Sequence, residues 1–129
     1  MPAGWTRLIL EKFEFPFKLV YPQRLDAGGL KRDFDVLLFA DSIVPGSSDK
    51  LFGTVRLPKQ PAPNDTPGEY RAWLGNFTDA KTVPAIDKFA RAGGTVVAIG
   101  SSARLASLLH TSVEPALAEA GKDLSLIHI

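Results

Sequence analysis

The chain has 129 residues, enough for one domain and too few for two. Fifteen Lys and Arg stand against fourteen Asp and Glu, so the net charge is +1 and no nucleic-acid footprint is present in the total. Cysteine is absent, which excludes disulfides, thiol catalysis and thiolate metal sites. A hydrophobic fraction of 45% with 22% charged residues argues for an ordinary globular fold. No apolar run approaches the roughly 20 residues that span a bilayer, and no charged leader with an apolar core opens the chain. Neither membrane nor nucleic acid is therefore an expected partner.

In chain order, residues 5–13 place Trp5, Leu8, Ile9 and Phe13 at helical spacing, with Arg7, Glu11 and Lys12 opposite. Residues 15–21 read as a short strand closed by Pro22. Residues 23–34, with Gly28-Gly29 inside, read as a broken helical connection. Residues 35–40, an apolar run bounded by aspartates, predict a strand covered on both faces, as in a parallel sheet.

Residues 41–78 differ in kind, being interrupted by five prolines. They predict a long surface loop holding one edge strand at 51–57 and one helical turn near 69–74. Helical order returns at Thr82, a candidate cap with Pro84 in the first turn, and Val83, Ile86, Phe89 and Ala90 make the buried stripe. Gly93-Gly94 predicts a left-handed stop. Residues 95–99 predict a second fully apolar strand, followed by Gly100-Ser101-Ser102 and a helix through Leu109. Strand, turn and helix in this order predict an α/β fold with a doubly wound parallel sheet, flavodoxin-like in plan.

Both ends read as truncated. The first helix lacks a strand to feed it, which a right-handed crossover would place near the sheet centre. Residues 124–129 read as a non-native tail, leaving 1–123 as the domain. A sheet short of a strand exposes pairing groups, so marginal stability is expected.

Ligands of open α/β sheets bind at the carboxyl ends of the strands. That places Asp41, Ser42, Gly100, Ser101 and Ser102 together as the candidate ligand-binding residues, for a small anion or sugar. No catalytic residue is assigned. A serine elbow needs Gly-x-Ser-x-Gly, and Arg104 occupies the second small position. Ser101 and Ser102 read instead as caps of the following helix. His110 and Glu114 are one turn apart, but a zinc site needs three protein ligands, and no further credible histidine exists. Asp33 and Asp35 stand at the start of the first strand and Asp41 at its end, too far apart for a carboxylate pair. Trp5, Trp73 and Phe77 read as core or loop anchors.

The wording of several segments resembles one family. They are Gly4-Trp5-Thr6-Arg7, Phe13-Glu14-Phe15-Pro16-Phe17, Val20-Tyr21-Pro22-Gln23, Leu25-Asp26-Ala27-Gly28, the run Asp35-Val36-Leu37-Leu38-Phe39, Glu69-Tyr70-Arg71-Ala72-Trp73-Leu74-Gly75, and the run from Gly93 to Ser102. Together they resemble the C-terminal region of bacterial carboxypeptidase A-type zinc metallopeptidases, in which a class I glutamine amidotransferase-like domain follows the peptidase domain. The resemblance implies a non-catalytic accessory domain whose partner is the parent's own peptidase domain, with a peptide or small molecule as a further ligand. It implies zinc in that other domain, with none bound here, and a secreted or periplasmic parent. It also aligns Gly100 with the amidotransferase cysteine, so the nucleophile is missing from its place. The rival expectations are a small-ligand binding module and a stand-alone serine hydrolase or amidotransferase.

Overall fold

A computed structural model of the chain describes residues 2–46 and 59–113. The architecture is a small α/β fold of helices around a two-stranded parallel sheet. Strand β1 (Val36–Phe39) pairs with β2 (Thr95–Ala98), Val36 opposite Thr95 and Phe39 opposite Ala98. The crossover between them carries a ten-residue helix, Thr82–Arg91. The expected edge strand at 51–57, Glu114 and the tail at 124–129 all lie outside the described residues.

Helix α1 (Pro2–Lys12) forms at the expected place but buries no residue. Trp5, expected to anchor the core or a loop, is 66% exposed, and Leu8, Ile9 and Phe13 are exposed beside it. Residues 15–21 are extended, as a strand would be, yet among the described residues no ladder forms on them. An extended run becomes a strand only where a neighbour accepts its backbone groups.

The broken connection resolves into α2 (Pro22–Asp26) and α3 (Leu30–Asp33), separated by Gly28 and Gly29 at φ +73° and +63°. Two successive left-handed residues cannot continue a helix, and glycine adopts them without a Cβ penalty. Helix α4 (Thr82–Arg91) turns Ile86 and Phe89 fully inward. It ends as a Schellman stop: the Gly93 N–H donates to the Ala90 carbonyl and the Gly94 N–H to the Phe89 carbonyl, both at 3.0 Å. Thr82 does not cap it. Its hydroxyl donates to Asp26 Oδ1 at 2.7 Å and accepts the Thr78 N–H at 3.0 Å, tying α4 to α2.

The core lies on one face of the sheet. Leu37 and Phe39 of β1 meet Leu25, Leu30, Ile86, Phe89 and Leu105, with Phe77 edge-on to Phe39 at 6.5 Å. Fully burying a side chain such as Ile86 or Phe89 stabilises by about 1.5–3 kcal/mol. The expectation that β1 is covered on both faces fails among the described residues: Val36 and Leu38, on the other face, are 52% and 40% exposed. The proline-rich stretch supplies no strand among its described residues, but a short 3-10 helix, Gly68–Trp73, stands where the helical turn was expected. There Trp73 stacks on Tyr21 with ring centroids 5.2 Å apart, so it anchors the loop rather than the core.

Candidate functional site

Both strands end on the same side of the molecule, because they run parallel. Beyond β1 the chain passes through Ala40 and Asp41 to Ser42, which takes a left-handed φ of +64°. Beyond β2 it reaches Gly100, at φ +59°, and a 3-10 turn, Gly100–Arg104, that runs into the short helix α5 (Leu105–Leu108). The structure therefore brings Asp41, Ser42, Gly100, Ser101 and Ser102 together.

Their hydrogen bonds join the two turns. Asp41 Oδ1 accepts the Ser101 N–H at 2.8 Å and the Ser101 hydroxyl at 2.6 Å. The Ser101 oxygen in turn accepts the Ser42 N–H at 3.0 Å, which holds Ser42 in its strained conformation. Ser102, fully buried, donates its hydroxyl to the Ala40 carbonyl at 2.6 Å and accepts the Ile43 and Val44 N–H groups at 3.2 and 3.3 Å. Arg104 adds a third strap, its Nη1 donating to the Pro45 carbonyl at 2.5 Å. The expectation of serine caps is thereby corrected. No side-chain cap bond forms on the turn Gly100–Arg104, because both hydroxyls reach across to the neighbouring loop instead.

The carboxyl of Asp41 is held below the ordinary aspartate range, first by the Ser101 hydroxyl, then by the Ser101 and Ser42 backbone N–H groups. A carboxylate stabilised in this way is a weak proton acceptor. Among the described residues every buried side-chain nitrogen and oxygen has a hydrogen-bond partner. The bonds from Asp41, Ser101 and Ser102 fix the spacing of the two turns.

Gly100 has no room for a side chain. A Cβ built there would lie 2.5 Å from Asp41 Oδ1 and 2.7 Å from its carboxyl carbon. Left-handed φ and lack of space together demand glycine. The Asp41 carboxylate thus occupies the volume that a side chain at position 100 would take.

Asp33 and Asp35 stay at the opposite end of β1. Asp33 pairs with Arg24 and, at 3.3 Å, Arg32, and Asp35 pairs with Lys31 at 2.9 Å. These partners hold both carboxyls below their usual range. Among the described residues no three His, Cys, Asp or Glu side chains gather into a metal-binding group. No helix there is long and apolar enough to cross a membrane.

The backbone partners of Ser102 and the strap from Arg104 were not legible in the sequence, since neither has a signature of residue type or spacing. Arg104 was visible only as the residue that breaks the serine-elbow pattern. Comparison with family models, curated proteins and solved structures finds no match.

Proposed function

We propose that the chain is a non-catalytic accessory domain, built on the doubly wound amidotransferase-like plan, of a zinc carboxypeptidase-like protein. Its role is to pack against the peptidase domain and present peptide to it. Zinc and the hydrolytic water belong to that other domain, and the parent acts outside the cytoplasm.

The supporting observation is Gly100. In an amidotransferase-like fold the nucleophile sits on a strained turn between a strand and a helix, and strained left-handed backbone marks such turns. Gly100 has the left-handed φ of that position without a side chain, and Asp41 fills the space. On this reading the turn retains an elbow's left-handed backbone without its reacting group.

The rival readings draw on the same residues. The convergence of Asp41, Ser42, Ser101 and Ser102 favours a small-ligand module, but the Ser101 and Ser102 hydroxyls are engaged by Asp41 and by backbone groups of residues 40–44. A serine hydrolase built on Ser101 would rely on Asp41 as its base, and the lowered pKa makes that base weak.

Sequencing the genomic locus tests the family half of the proposal. A His-x-x-Glu pair and a later histidine in the same reading frame, upstream of this segment, is the expected result. A frame encoding an unrelated enzyme would overturn it. For the non-catalytic half, Ser101→Ala in the whole protein leaves peptidase, esterase and glutaminase rates unchanged. A hundredfold loss in any of them would restore Ser101 as a nucleophile.

A further inference from the structure

We infer that the groove along the edge of β1 away from β2, an edge no other described strand pairs with, is the seat of one extended peptide strand. The inference deepens the accessory-domain reading, on which it rests only for the source of that strand, the parent's polypeptide outside this chain.

The Thr95 N–H donates to the Asp35 carbonyl and the Ile99 N–H to the Phe39 carbonyl, both at 2.9 Å. Backbone groups alternate along a strand, so residues 35, 37 and 39 face β2 while the N–H and C=O of Val36 and Leu38 face the other edge. That edge borders a cavity of about 1000 Å³. Residues 33–40 line one side of it and the extended run 15–21 lines the other, with Ala3, Thr6 and Leu10 of α1 adding a further wall. Among the described residues no backbone hydrogen bond joins 15–21 to β1. Two extended runs thus border the groove, neither paired to the other.

The chemistry of the walls selects the occupant. Phe15, Phe17, Leu19, Val36 and Leu38 are exposed and apolar, so burying them is favourable. A lipid or other hydrocarbon would cover them but leave the Val36 and Leu38 amides and carbonyls desolvated without partners, at a cost comparable to lost hydrogen bonds. An extended peptide brings donors and acceptors at strand spacing and apolar side chains on alternate positions. It would continue the established β1–β2 ladder across β1, with alternate side chains lying beside Val36 and Leu38 on the open face.

The probe is a synthetic heptapeptide, Lys-Val-Val-Ile-Val-Val-Lys, added to the whole chain while amide exchange is followed by NMR. The expected result is at least tenfold slower exchange at Val36 and Leu38, and slowing on residues 17–19. The same peptide N-methylated at alternate amides, and dodecanoate, should not produce it. Leu38→Lys should weaken the peptide at least tenfold, and the N-methyl comparison serves if that variant does not fold. Three results overturn the inference: Val36 and Leu38 amides already protected in the free chain, equal protection by dodecanoate, or no peptide effect. Protection that follows dimerisation in sedimentation would assign the edge to a second copy and overturn it too. Peptide protection together with a locus lacking a peptidase would remove the accessory-domain reading and leave the peptide seat.

Discussion

The Asp41 carboxylate takes both hydrogens that Ser101 offers, the backbone N–H at 2.8 Å and the hydroxyl at 2.6 Å, across 60 residues of sequence. One side chain therefore holds the turn after β1 against the turn after β2. Asp41→Asn keeps the shape but weakens two charge-assisted bonds. The thermal midpoint should fall by a few degrees, measured by circular dichroism, while far-UV helix content stays unchanged at low temperature. An unchanged midpoint would mean that the bonds contribute nothing to stability.

Acid should act on the same bonds. Asp33, Asp35 and Asp41 all titrate below the ordinary aspartate value of about 3.9 when folded. A depressed folded pKa contributes stability that is present above the unfolded value and lost as pH falls through the folded one. The midpoint should therefore be flat above about pH 5 and decline below about pH 4. Asp41→Asn should have a shallower acid limb than the parent chain. Identical limbs would show that Asp41 is not among the groups responsible.

Ser102→Ala removes one buried hydroxyl and strands three backbone groups, the Ala40 carbonyl and the Ile43 and Val44 amides. Unsatisfied buried groups cost about 1–3 kcal/mol each. A loss of about 2 kcal/mol or more is expected in urea titration, larger than for Ser101→Ala, whose site is less buried.

Phe89→Ala should cost about 3–5 kcal/mol, because the ring is 2% exposed in the core between α4 and the sheet. Gly94→Ala tests the same ring from the other side. A Cβ at Gly94 would run into the Phe89 ring, so the substitution should destabilise although alanine is ordinarily tolerated in loops. A neutral effect would show that the ring has room to move.

What the residues made legible follows from how local the physics is. The α4 stripe, its Gly93-Gly94 stop and the break at Gly28-Gly29 depend on neighbours a turn away, and all appear at the expected places. The two strands were legible from apolar runs in the same way. Residues 15–21 look like a strand by composition, but pairing is a property of the neighbour, which the run itself does not encode. The convergence of Asp41, Ser42, Gly100, Ser101 and Ser102 followed from the rule that parallel strands end together. Their wiring did not. A serine beside a helix start has the same composition whether it caps that helix or, as Ser102 does, reaches back to Ala40.

Gly100 and Asp41 are bound to one another in a way that limits how this chain can change. Any side chain at position 100 needs Asp41 to withdraw first, and withdrawing Asp41 breaks the bonds that hold Ser101. The two positions are thus expected to be strongly epistatic, with neither single substitution neutral and with a larger residue at 100 accommodated only after a smaller one at 41. A side chain at this turn therefore requires a paired replacement, and the order of the two steps is set by a few tenths of a nanometre of space.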